Sequence, residues 1–562
     1  MRVGIDIETN MAHDHIWDCC MVNENGKYRV FTDPNELRLE LSLLEDITFV
    51  HWNGIGFDIP KLKELWGVDL THYNHIDGML LSRLFDPNRA HSLASYGEEL
   101  NYPKHDFHDY DEPAEGETEA EWTKRRQEYC IQDVKLTLKA TELVERRLAQ
   151  EKFGGECVEL EHGVAVLLEE MQRNGFMLDT AKAMGLCNQW NDRLKQIEIE
   201  MQQMFPPIVT ERYSEKTGKR LKDGVEEFNP GSRAQIARRL QAEGVKLTKY
   251  TEKGNPIVDE TTLAGIDHPC AVLVQEYLLL QKREGQVRSW LDCVKEDGRV
   301  HGKVMGNGAI TGRMTHSLPN MAQIPSTKAE WGKECRECWT VPEGYKLVGI
   351  DASGLELRML AHYMKDDDFI EAVCYGKQED GTDAHTRNQK AAGLTTRDDA
   401  KTFIYAFMYG AGNAKLGSIA GGSAKKGASL RAKFLQATPS LGQLIDLIQN
   451  IAETSKSVPG LDGRRIRVRK THAALNTLLQ GNGAIVLKRA LLIFKEQLVA
   501  HKVPHKFVAN VHDEWQLEVP QTYAQLVGQI GAECIKLAGE HFNLRCPLAG
   551  EYHVGDTWAE TH

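Results

Sequence analysis

Apolar residues fall into two spacing regimes along the chain. Arg2 to Ile7 and Ile47 to Trp52 are short apolar runs of strand length, and Glu128 to Gln150 repeats its apolar positions at helical spacing. Residues 1–152 therefore predict an α/β module of alternating strands and helices. From about residue 156 to 295 the pattern changes to long helices, EHGVAVLLEEMQRNG and CNQWNDRLKQIEIEMQQM among them, interrupted by turn-rich inserts near Thr210 to Asn229 and Lys249 to Asp259. The alternation then returns, with a strand Lys346 to Ile350, a helical region from Asp366 to about Ile451, a helix from Thr471 to about Ala500, and a hairpin-like Lys506 to Val519. There is no internal repeat. The layout predicts an α/β module followed by a larger α+β assembly.

Length and composition narrow the class. A chain of 562 residues, 41% hydrophobic and 27% charged, is expected to hold three or four globular domains. No run approaches the roughly 20 apolar residues that cross a bilayer. The start, MRVGIDIETN, reads as a strand bearing carboxylates rather than a targeting peptide, so a cytoplasmic protein without a membrane partner is expected. The net charge of −13 at first argues against nucleic acid, but residues 1–150 hold 16 basic and 29 acidic residues and so carry all of the excess. The neutral remainder includes Gly463 to Lys470, with five cations in eight residues, a candidate strip for DNA phosphate or else a solvated turn. The twelve cysteines are scattered. Cys335 and Cys338 form the only CxxC, so they read as reduced structural thiols rather than a metal site.

Candidate chemistry appears first near the N-terminus. Asp6 and Glu8 are two apart on a predicted strand and leave the same face. Asp58 follows another strand in HWNGIGFDIPKL, and Tyr129 and Asp133 share a helix face at i,i+4 spacing. Four carboxylates from separate elements suit hard cations such as Mg²⁺. Two ions about 3.5–4 Å apart would serve phosphodiester hydrolysis, with Tyr129 orienting the water. Between these elements Asp111 to Glu121 has six carboxylates in eleven residues, read as a solvated loop or a flap that repels DNA. The set DIETN, NGIGFD and YxxxD resembles the DEDD exonucleases, in the subgroup with a tyrosine in the third motif. That resemblance implies a ribonuclease-H-like fold and removal of nucleotides from 3′ ends, leaving open proofreading or RNA trimming.

A second constellation lies further along. Strand Lys346 to Ile350 runs into Asp351-Ala352-Ser353, and Phe507 to Val511 runs into His512-Asp513-Glu514, so two sheet-end carboxylates could form another two-metal site. Between them Arg397, Lys401, Tyr405 and Tyr409 recur at i+4 steps and make one stripe, cations toward the helix N-terminus and aromatic faces further on. A triphosphate could lie along it.

The order TGR (Thr311 to Arg313), DxSxxExR (Asp351 to Arg358), RxxxKxxxYxxxYG (Arg397 to Gly410) and HDE (His512 to Glu514) resembles family A DNA polymerases, in particular the replicative enzymes of short-tailed bacteriophages. The resemblance implies a right-hand polymerase domain after a ribonuclease-H-like exonuclease at 1–152. Residues 153–298 would be mainly thumb, 299–365 palm, 366–470 mainly fingers, and 471–562 palm completion. It implies that Asp351, the Ala352 carbonyl and Asp513 hold two Mg²⁺ or Mn²⁺ ions with Glu514 nearby, and that Asp6, Glu8, Asp58 and Asp133 hold two more. His385, Arg397 and Lys401 would meet the triphosphate. Tyr409 and Glu356 would form a steric gate against ribose, and Tyr405 implies ready acceptance of dideoxynucleotides. Arg313, Asn320, Asn476, Gln480 and His512 would touch primer–template DNA, and Arg464 and Arg465 its backbone.

The implied partners are dNTPs and primer–template, with a helicase–primase and a single-stranded DNA-binding protein beyond, and the protein would be a monomer in a bacterial host's cytoplasm. In the best-studied phage relatives a long thumb insertion recruits thioredoxin. The two inserts here look too short, so thioredoxin is not expected. A family-related RNA polymerase and a non-catalytic DNA-binding scaffold are the rivals. Glu356 with Tyr409 argues against the first and the full set of carboxylates against the second.

Overall fold

The computed structural model describes residues 1–562. Its N-terminal part is built on strands β1 (Arg2–Thr9), β2 (Ile16–Asn23), β3 (Tyr28–Phe31), β4 (Thr48–His51) and β5 (Asn74–Asp77), in the sheet order β3-β2-β1-β4-β5. β1 runs antiparallel to β2 and parallel to β4. Helices α1 (Pro34–Ser42), α2 (Asp58–Trp66), α3 (Gly78–Phe85), α4 (Leu93–Glu99) and α5 (Glu119–Gln150) surround it.

Alternation along β1 decides what each face does. Val3, Ile5 and Ile7 enter a hydrophobic core with Phe49, Leu62 and Leu70, so Gly4, Asp6 and Glu8 turn to the face that α5 covers. Gly4 is required there, since a Cβ at this position would come within 2.6 Å of Val134 on α5. The close approach brings Asp133 of α5 to Asp6 and Glu8. α5 begins nine residues before the expected Glu128, because Thr118 and Glu121 form a reciprocal capping box and Trp122 and Arg126 are buried. The polar composition of these first turns hides the helix from an apolar-spacing reading.

The second part starts with α6 (Gly155–Asn174) and α7 (Thr180–Met204), the latter packed on the helix Pro269–Leu291. Only a short hairpin, Ile208–Thr210 with Gly224–Glu226, occupies the first insert. A four-stranded antiparallel sheet follows, ordered Lys506–Val511, Glu514–Pro520, Tyr345–Ala352, Gly550–Gly555. Six helices between Asp367 and Ser455 stand beside it. The helix Ala474–Ala500 corrects one expectation, for with the turn before it the segment Thr471–Ala500 is long and apolar enough to cross a membrane. It is instead a core helix, 72% buried in its most apolar stretch, with Leu478, Val486, Leu491 and Phe494 in the main hydrophobic cluster.

Two candidate carboxylate sites

The N-terminal site is a cleft of about 780 Å³ lined by Asp6, Glu8, Asp58, Tyr129 and Asp133. Asp6 and Glu8 arrive on β1 and Asp133 on α5. Asp58 opens α2, where its Oδ1 accepts the Ile7 N–H at 3.2 Å. The loop that delivers Asp58 is itself held, since Asp77 accepts the backbone N–H groups of Asn53 and Ile55 at 2.9 and 3.4 Å. Burial pushes all four carboxyl groups above the usual range. For Asp6 the charges of Asp58 and Glu8 add to it, and Glu8 reaches about 8 through burial and Asp133. A carboxylate cluster so crowded is relieved by divalent cations.

Asp133 shows how such ions would fit. Its Oδ2 is bonded to Lys104 Nζ at 2.5 Å, while Oδ1 is buried without a partner. Lys104 also stands 4.8 Å from the centre of the Tyr129 ring. Nothing in the sequence singled out Lys104, a lone cation ahead of the acidic loop. That loop is tied down, with Asp111 accepting the Met11 N–H at 2.8 Å and Arg125 bridging Asp109 and Glu117. Cys130 places its sulfur within 4.8 Å of carboxylate oxygens of Asp6 and Glu8, but a hydrogen bond with Cys20 and burial push its thiol well above the usual range and it donates to the Asp6 carbonyl.

The second site stands on the open end of the four-stranded sheet. Asp351 ends its strand opposite Glu514 on one side and Glu551 on the other. Asp513 sits in the two-residue turn between Val511 and Glu514, and its carbonyl accepts the Ala352 N–H at 3.2 Å. Two aspartates 162 positions apart in sequence thus meet through the strand pairing. Burial and the charges of Asp513, Glu514 and Glu551 push Asp351 up to about 8, and burial with Glu356 raises Asp513. Glu551 is a fourth acid that the sequence did not reveal, because its strand is identifiable only from its pairing.

The helix Arg397–Met408 presents the expected stripe. Ala400, Phe403, Ile404 and Phe407 are buried, which leaves Arg397, Lys401, Tyr405 and Tyr409 along the other face. Arg397 is bonded to Asp383 at 2.9 Å, and Asp383 caps the helix bearing His385. At the far end Tyr409 donates to Glu356 Oε1 at 3.3 Å and Arg313 donates to the same oxygen at 2.8 Å.

The profile of DNA polymerase family A matches residues 195–560. The chain belongs to DNA polymerase family A. It is 32% identical to the DNA-directed DNA polymerase of Enterobacteria phage T3, over 99% of both chains, and 33% identical to that of Escherichia phage T7, over 93% and 94%. The alignment with the T3 protein runs over 707 positions against the 562 residues here, so that relative carries segments this chain lacks. Among solved structures, the POL domain of Pol1 from M. smegmatis in complex with DNA primer-template and dNTP has the same fold. The TM-score is 0.81 at 20% identity, with 99% of this chain and 95% of that one covered.

The residues expected to touch DNA divide. Arg313 and His512 border a small recess beside Asp513. Asn320 is exposed, and Asn476 and Gln480 lie half-buried near the start of the helix Ala474–Ala500, Asn476 with an unpartnered side-chain oxygen. Two expectations need correction. Glu514, expected among the catalytic acids near the ions, is already engaged: its carboxylate accepts Trp558 Nε1 at 2.5 Å, His562 Nδ1 at 2.5 Å and Gln516, with Arg336 at 3.7 Å. Burial alone would raise this carboxyl, but the bonds from His562 and the charge of Arg336 hold it below the usual range.

Arg464 is not a phosphate contact either. It is buried and bonded to Glu161 and Asp462, both at 2.6 Å, while Lys488 shares Glu161. Two other members of the basic strip join the two parts of the molecule. Arg467 pairs with Glu151 and donates to the Phe85 carbonyl, and Arg469 donates to Asn88. Arg465 is half-buried and has no ion pair, so it alone of the two keeps the expected role open.

Proposed function

We propose that the chain is a DNA-templated DNA polymerase that extends a primer 3′ end with dNTPs and edits it through a 3′→5′ exonuclease, in the service of phage genome replication. The observation that carries the reading is the meeting of Asp351 and Asp513 at one end of the palm sheet, a short way from the Arg397–Tyr409 stripe. When bound, two Mg²⁺ or Mn²⁺ ions at each carboxylate cluster would lower the pKa of the attacking hydroxyl or water and stabilise the leaving oxygen.

Asp351 and Asp513 hold the reaction centre in the palm, while Lys401, His385 and Arg397 bind the triphosphate once Arg397 leaves Asp383. Tyr409 and Glu356 close the floor beneath the sugar. A ribose 2′-OH there meets a hydroxyl already committed to a carboxylate, which favours deoxynucleotides. At the other site Asp133 and Tyr129 orient the water that attacks the terminal phosphodiester. The N-terminal sheet order and strand directions support a ribonuclease-H-like exonuclease at 1–152. Residues 153–298 then form mainly the thumb, 299–365 and 471–562 the palm, and 366–470 mainly the fingers. Extension of a labelled primer–template with and without dNTPs tests both activities at once. Lengthening with dNTPs and shortening without them is the expected result; a primer unchanged in both lanes refutes it.

A further inference from the structure

Arg83, on the helix α3 of the N-terminal part, borders two spaces at once. It lines the cleft that contains Asp6, Asp58 and Tyr129. It also lines a narrow recess where α3 meets the loop Asn307 to Gly312, the loop that leads into Arg313 and the palm. No other cation lines both.

Three neighbouring arginines are committed, and Arg465, which has no ion pair, lines the recess but not the cleft. Arg89 is bonded to Glu99 and lies 3.7 Å from the Tyr96 ring centre, Arg467 is paired with Glu151, and Arg464 is enclosed by acids. Arg83 has no carboxylate partner, and its Nε is shielded from solvent with nothing to bond. Burial lowers its pKa with no opposing acid, although a guanidinium stays charged in any case. Beside it, burial and the charges of Arg83 and Arg89 push His91 down to about 4, so the positive charge here is that of the two arginines. An uncompensated, partly desolvated guanidinium calls for a planar or tetrahedral oxyanion, and a phosphodiester satisfies its fork of donors.

We propose that Arg83 binds a backbone phosphate of the single strand whose 3′ end lies among Asp6, Glu8, Asp58 and Asp133, at the point where that strand passes from the palm into the N-terminal cleft. The inference rests on the editing reading above. It makes Arg83 a substrate-binding residue of the nuclease that neither the carboxylate motifs nor the basic strip pointed to.

The test is steady-state digestion of a 5′-labelled single-stranded oligonucleotide in Mg²⁺ over a series of salt concentrations, with the full chain. R83A is expected to raise KM about tenfold at low salt and keep kcat within about twofold. It should flatten the dependence of log kcat/KM on log salt by about 0.7, the share of one phosphate contact on a single strand. R83K should restore part of the loss. Unchanged KM and salt slope overturn the proposal, and so does a loss confined to kcat. Matched-primer extension reports that the variant is folded, and R83Q takes its place should R83A fail to extend. A wild-type protein that leaves the oligonucleotide intact would instead refute the exonuclease reading itself.

Discussion

Tyr409 and Arg313 converge on one oxygen, Oε1 of Glu356, the tyrosine at 3.3 Å and the arginine at 2.8 Å. Burial and the Glu356 charge push the Tyr409 hydroxyl up to about 12, so it remains a donor at neutral pH. E356A frees that hydroxyl and opens space beneath the sugar. Discrimination between dNTP and NTP, measured as the ratio of kcat/KM values, is expected to fall about 10–100-fold, in line with the ~1–3 kcal/mol of an unpaired buried polar contact.

Two sites on separate sheets should fail separately. D351A is expected to abolish primer extension while single-strand digestion continues, and D6A to do the reverse. Loss of both activities from either substitution, in a protein whose thermal unfolding is unchanged, would show that the two clusters do not act independently.

Metal binding should displace protons. Asp351 and Glu8 both titrate near 8, far above the unfolded-state range of ~4. A raised carboxyl holds its proton in the folded chain after the unfolded chain has lost it. The metal-free protein therefore loses stability as pH rises from about 4 toward 8, then levels off. Divalent ions need the ionised form, so the gain in melting temperature on adding Mn²⁺ is expected to grow from pH 6 to pH 8. A gain independent of pH would contradict these shifts.

The buried group Arg464, Glu161, Asp462 and Lys488 joins α6 to the helix Ala474–Ala500. R464A leaves Glu161 and Asp462 short of a cation and should cost about 3–5 kcal/mol in urea unfolding, with no change in the salt dependence of DNA binding. R465A should do the opposite, leaving stability intact and reducing the slope of log affinity against log salt by about 0.9.

Much of this was legible in the sequence because the chemistry sits at strand ends. Asp6 with Glu8, Asp351 and Asp513 follow apolar runs of strand length, and the Arg397 to Tyr409 stripe needs only helical geometry. What was not legible depends on pairing between distant segments. Glu551 meets Asp351 only through antiparallel register, Lys104 reaches Asp133 from a loop, and Glu514 is claimed by His562 and Trp558 nearly fifty residues downstream. The basic strip misled for a related reason: charge density along the chain says nothing about which acids fold against it, and Glu161 and Glu151 lie more than 300 residues earlier.

The turn-rich inserts offer a final check. With only the hairpin Ile208–Thr210 and Gly224–Glu226 in the first insert, primer-extension length under single-encounter conditions is expected to be the same with and without thioredoxin. A marked lengthening would reveal a docking surface in these short segments.

The seam along α3 has a wider consequence. His162 accepts the Asp77 N–H, Asn307 donates to the Leu80 carbonyl and Arg467 to that of Phe85, so successive turns of this helix are fastened to the polymerase body. On the editing reading proposed above, a nuclease bolted on in this way cannot swing out to fetch its substrate. The span between the two reaction centres is a set length, and the terminus must unzip far enough to bridge it. Error detection then becomes a question of how easily the last few base pairs come apart, with a mispaired end covering the gap at lower cost than a well-stacked one.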